Sequence, residues 1–418
     1  MKLKQGAFTA LLGLSSLFFI AGCGDTFRPI ANPLPKPAPD PKASGTAVVV
    51  FSGGPSSGGT AATGTSVQIN VAGDSITGEV PLGVNPIYAL IGASLISVNQ
   101  GDSSLSIYST ALGNFIAGVT TPPTVTTVSL PGDAAPTFAV IAANNIYVAF
   151  SAHGTVGIVN SSSAFVAERT VGANPTALVA LPNGAKVYAI NQGDNTVSVI
   201  NTSDNSVTGP IAVGTTPVFG VASPDSTRVY ILNKGSGTVS IIDTASDTVI
   251  APPAGSTFTN ATVQVGTAPS FAMYDPQLNA VYVTNEISNT LSVIDAVSTS
   301  PTVNKQIAEI ALQGTTPKSV TVLPNRTKIY VANSASGTVS VINALSNQVL
   351  KTISVGGQPI SIAASLDNTK VVVANQAGYV SMISTATDTE TMRINAPPST
   401  CPTTTPCAAQ TPVIVGVL

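Results

Sequence analysis

Charge is scarce in this chain. Lys and Arg number 16 and Asp and Glu 19 in 418 residues, so charged residues make up 8%, where a soluble domain averages about 25%. So few charges cannot dress the exposed faces of a coiled coil or helical bundle, nor keep a charged chain disordered. The formal net charge of −3 offers no basic surface to neutralise phosphates, and nucleic acid is excluded as an expected partner. Trp is absent and His occurs once, at His153. One imidazole cannot supply the multi-His ligand sets of copper and haem centres, so no metal and no cofactor is expected. The stretch 53–59 is rich in glycine but lacks the Lys and the strand-to-helix context of a phosphate loop. What the chain does hold is 44% hydrophobic residues, 36 Gly and 31 Pro, with many Ser, Thr and β-branched side chains, a composition that suggests sheet. The length would suit two or three average domains, or one repeat or barrel fold.

The amino terminus reads as an export signal over residues 1–22: Lys2 and Lys4, then an apolar stretch over 7–20 that ends in small residues. That stretch is short for a membrane span. Ile20, Ala21, Gly22 and Cys23 resemble the lipobox of bacterial lipoproteins. The resemblance implies diacylglycerol on the Cys23 thiol, cleavage before it, and a lipid bilayer as partner. Several acyl chains anchor stably, since each buried methylene contributes about 0.8 kcal/mol. Residues 23–45 then form a proline-rich linker, with Pro29, Pro33, Pro35, Pro37, Pro39 and Pro41 favouring an extended spacer. Gly24 stands where some Gram-negative lipoproteins carry an Asp retention signal, so outer membrane or cell surface is expected over the inner membrane.

From residue 46 to 418 the chain repeats itself. The clearest unit is Val281-Tyr-Val-Thr-Asn285, then four residues, then Thr290-Leu-Ser-Val-Ile-Asp295; close copies end their first segments at Asn191, Asn233 and Asn333, and weaker ones at Asn99, Phe150 and Asn375. Successive markers are 41 or 42 residues apart in three steps and 48 to 52 in the others, a period of propellers or helical repeats. Within each unit the apolar residues alternate with period 2 and are β-branched, which is strand behaviour. Gly and Asn between the two segments are hairpin turns. A Gly-x-x-Pro lead-in with an apolar run precedes each pair and a short strand follows it. Four antiparallel strands per unit make a propeller blade. Inner strands sandwiched between blades must carry small, uncharged residues on both faces, which accounts for the low charge.

Units with Tyr-Val-Thr-Asn, Thr-Val-Ser-Val-Ile-Asp and Val-Gly-x-x-Pro resemble the YVTN family of β-propeller repeats. The resemblance covers nearly the whole chain after the linker and implies an all-β single propeller of bacterial or archaeal surface and periplasmic proteins. Phe150 at an Asn position and Val372 at a Tyr position depart from the pattern, and altered turns are expected in those two blades.

The chain ends decide the blade count. Residues 411–418 resemble an inner strand with no hairpin after it, and 47–51, 66–70 and 75–80 resemble three strands with no inner strand before them. Eight blades are expected, closed by three amino-terminal strands and one carboxy-terminal strand, with seven blades and an amino-terminal appendage as the alternative. Cys401 and Cys407, in a proline-rich loop of an exported chain, read as a local disulfide or as two free thiols.

His153 reads as a solvated turn residue, and Asp102, Asp194 and Glu286 as turn carboxylates that could converge on one face. The channel-facing strands, such as Pro175-Thr-Ala-Leu-Val and Pro359-Ile-Ser-Ile-Ala, carry Lys318 as their only charge among the clear copies, so the channel looks inert. The chain is therefore expected to be no enzyme but a monomeric binding or scaffold module for a protein, peptide, glycan or small molecule; a lactonase-like or redox propeller is the alternative. Loops on a rigid scaffold usually carry function. The face that gathers the second-to-third-strand turns and the Gly-x-x-Pro lead-ins is the expected binding face, with Gln192, Asp194, Lys234 and Glu286 as candidate contacts.

Overall fold

The computed structural model describes residues 45–53, 63–110, 123–250, 262–300, 302–396 and 410–418. Cys23, Cys401, Cys407, the stretch read as an export signal and residues 23–44 of the stretch read as a linker lie outside the described residues. Every regular element among the described residues is a strand, and the strands form eight antiparallel four-stranded blades. In chain order, blade 1 holds Thr46–Ser52, Thr63–Asn70 and Ser75–Val84, and blades 2 to 8 span 86–129, 136–170, 175–212, 217–264, 269–311, 317–354 and 359–395. In blade 5 the outer strand comes in two pieces, Thr248–Val249 and Thr262–Gln264, both paired with Thr238–Asp243.

The missing inner strand of blade 1 is Thr411–Val417, paired antiparallel with Thr46–Ser52 in the register Ala47 to Val417, Val49 to Val415 and Phe51 to Pro412. Eight blades with this closure match the expectation from the chain ends, and the seven-blade alternative falls. The inner strands follow one another around a closed ring. The core is correspondingly divided: eight apolar clusters each draw on two successive blades, one cluster per blade junction, including 8 to 1 and 1 to 2. No junction is left without an apolar seam, so each blade covers the face its neighbour could not bury alone.

The repeat motif has a local physical cause. In the second strands of blades 3 to 7, Tyr147, Tyr188, Tyr230, Tyr282 and Tyr330 are among the largest fully buried side chains. The Asn that ends the second strand is fully buried in blades 2 and 4 to 8. Its amide donates to hydroxyls of the third strand, as Asn233 does to Thr238 at 3.1 Å and Ser240 at 3.0 Å, and Asn285 to Thr290 at 3.0 Å and Ser292 at 2.9 Å. Thus the Ser in Thr-Val-Ser-Val-Ile is a buried partner rather than a solvated alternate residue.

The two departures behave differently. Blade 3 keeps a four-residue turn, with Gly154 donating to the Phe150 carbonyl at 3.1 Å and lying at φ 65° just as Gly237 does in blade 5. Phe150 is accommodated because the Ser position is Gly157, where a Cβ would stand 2.4 Å from the Phe150 ring. Blade 8 does have a changed turn, one residue shorter, since Asn375 pairs directly with Tyr379. Val372 sits inside the strand, away from that turn, and its effect falls on the junction with blade 1.

Candidate functional site

One face of the ring carries the turns between second and third strands together with the lead-ins to the inner strands. Each lead-in fixes the adjoining turn. The residue before the inner-strand Pro lies at positive φ in six blades, including Asn174 at 52°, Thr216 at 52° and Thr316 at 57°. That is a costly conformation for a β-branched residue before proline. The carbonyl of the residue before the Pro accepts from the turn: Gln192 donates to Asn174 at 3.0 Å, Lys234 to Thr216 at 2.9 Å, Glu286 to Ala268 at 3.0 Å and Ser334 to Thr316 at 2.9 Å through their backbone N–H groups. Gln376 does the same to Gln358 at 2.9 Å without the positive φ. The residue just after each second strand is therefore held alike from blade to blade.

Lys234 of blade 5 and Glu286 of blade 6 occupy that position in neighbouring blades, and their side chains meet, Nζ to Oε2, at 2.8 Å. The other Glu286 oxygen takes Lys318 Nζ at 2.7 Å. Lys318 is the second residue of the inner strand of blade 7, where the pairing register skips between Pro317 and Ser319. The same bulge recurs in every inner strand; it puts an extra residue at the channel mouth, as bulges next to sites commonly do. Glu286 is 12% exposed and the two lysines 37% and 36%. Burial pushes the Glu286 carboxyl up, but the hydrogen bonds and charge of the two ammonium groups outweigh it and hold the carboxyl below its ordinary range. The triad thus carries a net positive charge, and both lysine side chains remain partly exposed.

The other two candidates serve the scaffold. Asp194 accepts the Ala173 N–H at 2.5 Å, the duty that Asp102 performs for Val84 and that Ser288 and Ser336 perform for Thr267 and Thr315. Gln192 accepts from the Asn174 side chain at 3.0 Å. Among the described residues no hydrogen bond ties either one to the triad. Asp102, Asp194 and Glu286 all lie in turns between second and third strands, but Asp102 and Asp194 share one turn position and Glu286 occupies another. Lys318 stood out in the sequence as the lone channel charge. The bulge that lets it reach Glu286 follows the repeated inner-strand proline, but the proline alone does not show that the next residue is the extra one.

His153 is not merely a solvated turn residue. Its Nε2 lies 2.9 Å from Asp133 Oδ1 and its Nδ1 3.3 Å from Glu168 Oε2, while Thr155 donates to Glu168 at 2.8 Å. The hydrogen bond to Glu168, the largest cause, together with Asp133 raises the imidazole pKa above its ordinary value against a smaller desolvation effect. Among the described residues no group of three or more His, Cys, Asp or Glu side chains is arranged to hold a metal ion.

Nor is the channel featureless. The third residues of four inner strands form an aromatic row: Tyr88 stacks on Phe138 with centroids 3.9 Å apart, Phe138 meets Phe219 edge-on at 6.1 Å, and Phe219 stacks on Phe271 at 5.0 Å. Blade 4 has Ala177 at this position, and its small side chain lets Phe138 and Phe219 meet across it. Burial raises the Tyr88 phenol well above its ordinary pKa.

No family model and no curated protein matches the sequence. Solved structures do match by shape. Apo AztD from Citrobacter koseri superposes with a TM-score of 0.61 at 11% identity, over 90% of this chain and 98% of that one. A candidate 6-phosphogluconolactonase from Bacteroides fragilis gives 0.56 at 12% identity over 91% and 100%. The dihydro-heme d1 dehydrogenase NirN gives 0.56 at 17% identity over 75% and 65%. The chain is a β-propeller. At these identities the likeness is one of fold, and fold alone does not fix function. It does overturn the expectation that the chain is no enzyme: propellers of this shape include a dehydrogenase and a candidate lactonase, so a neutral sheet scaffold without a legible catalytic set is no argument against activity.

Proposed function

We propose that the chain is an envelope propeller of the YVTN type, exported and tethered through lipidated Cys23, which binds an anionic ligand at the channel mouth on the turn face. The observation that carries the reading is the Lys234–Glu286–Lys318 triad. Three residues from three successive blades converge there, two ammonium groups share one carboxylate, and both lysine side chains retain exposure. A ligand carboxylate or phosphate would complete the charge balance by accepting from the open side of each lysine. Exposed Ile287, beside Glu286, supplies an apolar flank. The proline-rich linker would hold the ring clear of the bilayer.

Calorimetric titration of the purified protein with a panel of small carboxylates and sugar phosphates tests the site. Binding is expected to weaken with rising salt and to fall by about tenfold or more in Lys234→Ala/Lys318→Ala, equivalent to at least about 1.4 kcal/mol. Ligands that bind the double variant as well as the parent would remove the site from this face. Mass spectrometry of the mature amino terminus tests the tether, and an unmodified Cys23 would sink that part of the reading.

A further inference from the structure

The opposite end of the axis holds a wide-open depression of about 530 Å³ where the inner strands run into their hairpins. Its wall is formed by inner-strand residues of blades 4 to 8 and of the closing strand, among them Ala222, Phe271, Met273, Tyr274, Ile362 and Ala364. None of the lining residues carries a charge. The size falls within the range of about 300–1,000 Å³ common for small-molecule sites. Small side chains keep it open, since the inner strands of blades 4, 5 and 8 all end in alanine. Bulkier groups give it a distinct surface: Phe271 is the last ring of the aromatic row, and Met273 adds a polarizable thioether that favours aromatic contacts. The Tyr274 hydroxyl is turned to Asn279 at 3.4 Å, and the Thr321 oxygen accepts the Ala364 N–H at 3.3 Å. Polar and apolar atoms share the lining about equally, and the Tyr274 and Thr321 hydroxyls among them are engaged with the scaffold.

We infer that this cavity is a second binding site, for an uncharged small molecule with an aromatic body. A charged ligand would find no counter-ion among the lining residues. A flat ring can stack against Phe271 and meet the Met273 sulfur, contacts specific to aromatic ligands. This site differs from the anion site in place, chemistry and salt response, and the two stand or fall separately.

The probe is the neutral fluorophore N-phenyl-1-naphthylamine, titrated into the purified full-length protein. Saturable enhancement at one site per chain is expected, unchanged between low and high salt. Ala222→Phe and Ala364→Phe fill the cavity, and Met273→Lys puts a charge into it. Each should weaken the probe by about tenfold or more while circular dichroism and thermal unfolding show an intact propeller. Two filling variants are used so that one that misfolds does not decide the matter. Absence of saturable binding, or undiminished binding in folded filling variants, overturns the inference.

Discussion

At the scale of single residues, the repeat is a set of contacts in which each side chain presupposes another. Gly314 shows this most sharply: a Cβ there would stand 2.2 Å from Asn333 Nδ2. The same Asn333 amide donates to Thr338 at 3.2 Å and Ser340 at 2.9 Å. The lead-in glycine is therefore glycine because the turn asparagine lies against it, not because of an unusual φ. Gly314→Ala should cost about 1–3 kcal/mol through overpacking, and Asn333→Ala about 1–3 kcal/mol through the buried Ser340 hydroxyl left without its partner. The double variant should cost less than the two together, because the new methyl then enters space the amide has left; strict additivity in denaturant unfolding would refute the coupling. The sequence made Asn333 visible as a repeat marker but not its contact, since a glycine can reflect turn geometry or close approach equally well. The same ambiguity explains Asp194. Sequence shows that a turn residue is polar, but not that it is committed to a backbone N–H.

Between elements, blades are joined by latches that reach from the second strand of one blade to the outer hairpin of the next. Lys328 and Tyr330 of blade 7 both hold Asp388 of blade 8, at 2.7 and 2.6 Å. Lys186 and Tyr188 of blade 4 hold Asp247 of blade 5, both at 2.7 Å. At the closure Lys370 holds Asp74 Oδ2 at 2.7 Å, but Val372 stands where the tyrosine would be, and Asp74 Oδ1 is buried without a partner. The sequence flagged Val372 as a departure, yet placed its effect in a turn, because the latch links residues that are near only after blades pack. The two junctions should respond differently. Asp388→Asn should cost about 2 kcal/mol, since it weakens a charge-assisted bond to lysine and disturbs the tyrosine bond. Asp74→Asn should cost less, since it weakens one such bond and its second oxygen already lacks a partner. Equal losses in denaturant midpoint, at unchanged slope, would show that the tyrosine adds nothing to the latch.

For the whole molecule, the ring is closed by a strand from the far end of the chain. Blade architecture and count were legible because period-2 patterning survives at both chain ends, and because the inner-strand pattern at 411–418 lacked the hairpin that follows every other copy. The site was less legible: the Lys234–Glu286–Lys318 contact depends on blade adjacency and a bulge, and the cavity depends on which inner-strand residues share one end of the axis. Closure also bears on stability. The strand Thr411–Val417 covers the edge of Thr46–Ser52 and packs Val415 into the seam shared by blades 8 and 1. Removing residues 410–418 would bare a backbone edge next to the fully buried residues Ala47, Val48, Val49 and Val50, and an open apolar edge recruits other chains. The truncated protein should therefore unfold at lower denaturant and associate with rising concentration. A synthetic peptide of residues 410–418 added in trans should restore the monomer by strand addition, whereas a scrambled peptide should not. Light scattering and denaturant unfolding read both effects. A truncated chain that stays monomeric with unchanged stability would mean that the terminal strand is dispensable, and that the remaining three strands of blade 1 suffice to hold both of its junctions.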